Sequence, residues 1–132
     1  MAHVISFTTD RFDVAKEKPN PINPIAGQAV LQWLREELAA AYYSSTEPKT
    51  EDWGWYIYVQ GVGGSYLVGA SGQPEPPSRE IEWVVQIHKQ RSLVDKLTGT
   101  NRMTAGDPLS ALLESMVRGR KEFRDVRVDR EP

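Results

Sequence analysis

A chain of 132 residues, 39% apolar and 26% charged, is long enough to bury a core, so one domain spanning residues 1–132 is expected. The absence of cysteine excludes disulfides, thiolate nucleophiles, cysteine-zinc sites and cysteine-ligated iron–sulfur clusters, and fits a cytoplasmic protein. A net charge of −2 gives no bulk attraction to nucleic acid, no apolar run approaches the about 20 residues of a membrane span, and the MAHVISFTTDRF start lacks the order of a signal peptide.

In chain order, residues 3–9 (HVISFTT) are β-rich, with Ile5 and Phe7 on one face, and predict a first strand. A proline-rich connector over 16–24 follows. Asn23 before Pro24 pairs a capping side chain with a proline at the first helical position, which predicts a helix over 24–42. Val30, Leu31, Leu34, Leu38, Ala41 and Tyr42 form its apolar stripe. Gly27 in its first turn is a local cost, unless it permits close packing against a sheet.

Residues 44–52 read as a polar loop. Trp53, Trp55, Ile57 and Val59 then alternate with Gly54, Tyr56, Tyr58 and Gln60, which predicts a strand with the odd positions inward. Gly61-Val62-Gly63-Gly64 is a turn, and residues 66–69 are the return strand. Residues 71–80 hold three prolines and a glycine and form an exposed loop. Ile81, Trp83, Val85 and Ile87 alternate along another strand. Leu93, Val94 and Leu97 suggest one or two helical turns before Gly99.

Asp107-Pro108 repeats the cap-then-proline signal. Leu109, Leu112, Leu113, Met116 and Val117 make a second stripe that ends at Gly119. FRDVRV at 123–128 is a charged last strand suited to an edge. The order β-α-β-β-β-α-α-β predicts an α+β two-layer sandwich. Its antiparallel sheet has about five strands, and two main helices cover one face.

Recognisable chemistry is sparse. GVGGS superficially matches a phosphate loop, but a strand follows it and it has no Gly-Lys-Ser/Thr. The two histidines, His3 and His88, form no metal-ligand pair, so no metal and no cofactor are expected. No G-x-S-x-G elbow is present, and the paired carboxylates have nothing to place them across a cleft. Trp53, Trp55 and Trp83 should meet across neighbouring strands as an aromatic core wall, each indole N–H finding an acceptor. Trp53 beside Asp52 could instead line a pocket or an interface.

Asp52-Trp53-Gly54-Trp55 with its polar lead-in, alternating strand, glycine turn and return strand resembles a class of small uncharacterised bacterial proteins. The late helix followed by FRDVRV is similar too. The resemblance covers residues 46–70 and 108–128. It implies a bacterial origin and a compact α+β domain, and it supplies no activity and no site.

The missing catalytic set points to a non-catalytic binding domain that docks a protein partner or a second copy of itself. An immunity-type protein that blocks a toxin electrostatically is one concrete version. The binding candidates are Asp52, Trp53, Trp55, Tyr56, Tyr58, Tyr66 and His88. The alternative is an enzyme or ligand binder with a pocket of Trp53, Trp55, Tyr66 and His88 under the 71–80 loop. Charge offers a third reading. Residues 1–82 hold 6 basic and 11 acidic side chains, residues 83–132 hold 10 and 7, and Arg118, Arg120, Lys121 and Arg124 could bind an anion or nucleic acid.

Overall fold

Period-two alternation in the first strand, the tryptophan-rich strand and the 81–89 strand builds one antiparallel sheet. The computed structural model describes residues 2–130. Its strands are β1 (Ala2–Thr9), β2 (Ser44–Ser45), β3 (Lys49–Glu51), β4 (Gly54–Gly61), β5 (Gly64–Ser71), β6 (Ile81–Lys89) and β7 (Arg124–Asp129). The seven-stranded sheet runs β2-β4-β5-β6-β1-β7, with β3 also paired to β4. All pairings are antiparallel, and the registers Trp55↔Ala70↔Val85 and Phe7↔Trp83 align the inward residues. The α+β class therefore holds, with two more strands than the expected five.

The extra strands, β2 and β3, lie in the stretch read as a polar loop. Their residues are polar because they form a short edge beside β4, where apolar side chains would invite edge-to-edge pairing. β7 closes the other edge against β1, as its charges suggested.

The helices are α1 (Gln28–Ala40), α2 (Leu93–Thr98) and α3 (Pro108–Arg118). α1 packs on the β4–β5 side and α3 on β1 and β7, so both cover the same sheet face. Ile5, Phe7, Ile57, Val68, Trp83 and Ile87 are fully buried beneath them with Leu31, Leu34, Leu38, Leu109 and Leu113. Each such aliphatic side chain contributes about 1.5–3 kcal/mol of transfer free energy.

The two helix starts differ. Asp107 caps α3 as expected, accepting from the Leu109 and Ser110 N–H groups at 3.1 Å each. Asn23 does not cap α1, which begins four residues beyond Pro24. The Glu17 carboxylate reaches in from the connector and accepts from Gly27, Gln28 and Ala29 N–H at 3.0, 3.0 and 3.1 Å. Gly27 is there for close approach: a Cβ would come within 2.4 Å of the Ala70 carbonyl oxygen.

The aromatic wall is also assembled differently. Trp83 meets Phe12 edge-on at 5.8 Å, and Trp33 meets Phe123 at 5.1 Å; Trp53 takes no part. Trp55 donates its indole N–H to Ile25 O at 3.1 Å, whereas Trp33 and Trp83 Nε1 have no acceptor.

Candidate interaction face

No helix covers the second face of the sheet. Tyr56 and Tyr58 of β4, Leu67 of β5, Val84, Gln86 and His88 of β6, and Val4, Ser6 and Thr8 of β1 point outward, half-buried or exposed. Tyr56 and Tyr58 therefore stand where the alternation put them.

Trp53 joins them, against its place in the expected core wall and in keeping with the alternative that set it at a pocket or interface. It lies in the two-residue turn between β3 and β4, so strand alternation does not govern it. Its ring lies over Gly69, where a Cβ would come within 2.5 Å of the indole carbons Cη2 and Cζ3. Trp53 and Tyr56 ring centroids are 6.4 Å apart, and Tyr56 and Tyr58 are 5.6 Å apart at 77°. The three rings form one contiguous aromatic cluster over β4 and β5.

Beside that cluster an open groove of about 450 Å³ is lined by Trp53, Leu67, Gln86, His88 and Gln90. His88 Nε2 and Gln86 Oε1 are 3.3 Å apart, which assigns the proton to Nε2, donating to the amide oxygen. Burial, then the positive N-terminus, holds the His88 pKa below its ordinary value, so the ring is neutral at pH 7. Among the described residues no carboxylate hydrogen-bonds His88, so it lacks the orienting partner of a general base. Leu67 and Gln90 were missed as lining residues. The parity of Leu67 with Gly69 could have found the first; Gln90 follows the strand end, where parity stops.

Charge is nearly absent from the centre of this face. Among the described outward positions of β1, β4, β5 and β6, Glu82 is the only formal charge. The edge strands carry the charges: Lys49 and Glu51 on β3, and Arg124, Arg127 and Asp129 on β7. The face thus has an uncharged, aromatic centre and a charged rim.

The other candidates are not gathered here. Trp55 is buried on the opposite face. Tyr66 is fully buried there too, donating its hydroxyl to Asp107 Oδ1 at 2.8 Å. Burial and that carboxylate push its pKa up. The four-residue pocket of Trp53, Trp55, Tyr66 and His88 is thus split by the sheet, two residues on each side. Asp52 is exposed in the turn, and its carbonyl accepts from Asn23 Nδ2 at 2.8 Å.

The basic cluster is largely neutralised. Arg118 pairs with Glu114 at 2.8 Å, Arg120 with Glu37 and Arg124 with Glu80, leaving Lys121 exposed. Arg120 also lies over the Trp33 ring at 5.8 Å.

One polar constellation escaped the sequence. His3 Nδ1 and Ser110 Oγ are 2.7 Å apart, joining β1 to α3. Beside them Lys89 pairs with Asp107 at 3.6 Å. A serine–histidine pair suggests nucleophilic catalysis, but Ser110 is 0% and His3 1% exposed, so no substrate reaches it. It ties the helix to the sheet. Among the described residues no group of acidic or histidine side chains could hold a metal ion, and no helix is long and apolar enough to cross a membrane.

No protein-family model matches the chain, and neither a curated protein nor a solved structure matches it.

Proposed function

We propose that the protein is a non-catalytic docking domain and that its uncovered sheet face pairs with a second copy. The observation that carries this reading is the removal of charge from an exposed face in a chain that is 26% charged. An uncharged face offers nothing to select an oppositely charged partner, and it is complementary to itself. The rim agrees: β3 and β7 both carry charges of both signs, so a twofold arrangement can set unlike charges against each other.

Four strands about 4.8 Å apart and eight residues long give a face of roughly 500 Å² in plan. Two copies reach about 1,000 Å², the low end for a specific interface. A micromolar dimer is therefore expected. Light scattering across a concentration series tests it. The chain should pass from monomer to dimer, and Tyr56→Ser/Tyr58→Ser should stay monomeric while remaining folded. A wild-type chain that is monomeric at every concentration sinks the reading.

A second reading has one observation behind it. Gln86, His88 and Gln90 converge beside the Trp53 ring, as a small uncharged ligand would need. Such a ligand raises the melting temperature of the wild type and not of Trp53→Ala.

A further inference from the structure

Seven large apolar side chains are exposed among the described residues, and five of them, Tyr42, Val62, Leu93, Val94 and Leu97, stand at one end of the molecule. Three connections bring them there. Tyr43 donates its hydroxyl to Val62 O at 3.1 Å, which sets the exit of α1 beside the β4–β5 turn. The register Tyr66↔Lys89 and the Gln90 N–H to Ser65 O bond of 2.8 Å set the end of β6 at the same place. α2 follows three residues later.

α2 is built inside out. At 3.6 residues per turn, Leu93, Val94 and Leu97 share one face and Asp95 lies opposite. The apolar face is the outer one, at 73, 66 and 78% exposure, and α2 buries nothing. Six residues do not hold a helix by themselves. Polar staples hold this one: the Ser92–Asp95 capping box, Thr100 Oγ1 to Asp95 Oδ1 at 3.1 Å, and Arg91 donating to Asp95 O and Thr100 O at 2.9 and 3.0 Å. The local structure keeps three apolar side chains in water.

The same end is basic. Lys89, Arg91, Lys96 and Arg102 face only Asp95 and Asp107 within residues 89–107, a balance of +2 in a chain of −2. Arg91 donates to neutral carbonyls, so its charge is not cancelled there. The opposite end is acidic on balance: Glu75, Glu80 and Glu82 line the concavity beside Trp53 and Asp52 sits in the adjacent turn, against Arg79 in the same loop and Arg124, which pairs with Glu80.

We infer that this end docks on the surface of an anionic lipid bilayer, with Leu93, Val94, Leu97, Val62 and Tyr42 entering the headgroup boundary and Arg91, Lys96 and Arg102 over the lipid charges. Lipid fits better than a protein partner. The apolar groups are tips on three separate connections, and a protein interface needs one packed patch, whereas acyl chains accept separate tips of any shape. Tyr42, 95% exposed, has the amphipathic ring that settles at headgroup level. The acidic far end turns the molecule to present its basic end.

Flotation of the full chain with vesicles is the test. Binding is expected to vesicles of phosphatidylcholine with phosphatidylserine, far less to phosphatidylcholine alone, and to weaken as salt rises. Leu93→Ser/Leu97→Ser should cut partitioning tenfold or more, and Lys96→Ser and Arg102→Ser roughly fivefold each. None of these side chains is buried, so all variants should keep the wild-type melting temperature. No flotation with either vesicle overturns the inference, as does equal flotation with both. Undiminished binding by Leu93→Ser/Leu97→Ser overturns it too. Tyr56→Ser/Tyr58→Ser should still float, which separates this inference from the sheet-face dimer.

Discussion

The two faces of the sheet come from the same strands and the same alternation, yet they end in different states. On the inner face Ile5, Ile57, Trp83 and Ile87 are sealed by α1 and α3. On the outer face Tyr56, Val84 and His88 are partly wet, and Trp53 lies over Gly69 beside Tyr56. The inner face carries the stability of the fold. The outer one lacks the charge that a solvated face normally keeps, and the proposed pairing rests on that difference.

Substitutions sharpen that contrast, largest effect first. Trp83→Ala should cost about 3–5 kcal/mol, because a closed core cannot collapse around the lost indole. Urea denaturation measures it. Trp53→Ala on the outer face should cost under about 1.5 kcal/mol and should act on dimerisation instead. Equal costs at the two positions would mean that the outer face already belongs to the core of one chain.

Asp107→Ala comes next, at about 3 kcal/mol. It removes the α3 cap and the Tyr66 partner, and it leaves Lys89, 10% exposed, without its counter-charge. Glu17→Ala should cost about 1 kcal/mol, the ordinary value of a helix cap, by the same denaturation assay. Asn23→Ala should stay within about 0.5 kcal/mol. An Asn23 effect as large as that of Glu17 would restore the sequence's choice of cap.

The same pairs show what a sequence discloses. Asp107 was legible because cap, proline and stripe are adjacent in the chain. Glu17 was not, because its contact spans ten residues of proline-rich connector whose path depends on tertiary packing. β4, β5 and β6 were legible from period two, and the outward setting of Tyr56, Tyr58 and His88 came with them. Trp53 was not, because alternation stops at a turn, and only the ring's fit over Gly69 reveals its side. The pairing of His3 with Ser110 joins positions 107 residues apart and leaves no local trace.

The smallest expected effect sets the two faces against each other through their histidines. His3 is sealed inside; burial first, and the nearby Arg130 charge second, lower its pKa below the ordinary value. His88 on the outer face is lowered too, by burial first. In both cases the unfolded chain binds a proton before the folded one does. Stability is therefore full above the ordinary histidine pKa of about 6.5 and declines as pH falls from there to each folded value. His3→Gln should flatten that decline at every protein concentration, since one chain alone buries His3. His88 behaves differently if the sheet face pairs. Covering it desolvates the ring further, so acidification should dissociate the dimer, and His88→Gln should make dimerisation insensitive to pH between about 5 and 7. Scattering at two pH values reads this directly. A dimer equally stable at both would place His88 outside the contact and move the interface toward Tyr56 and Tyr58 alone.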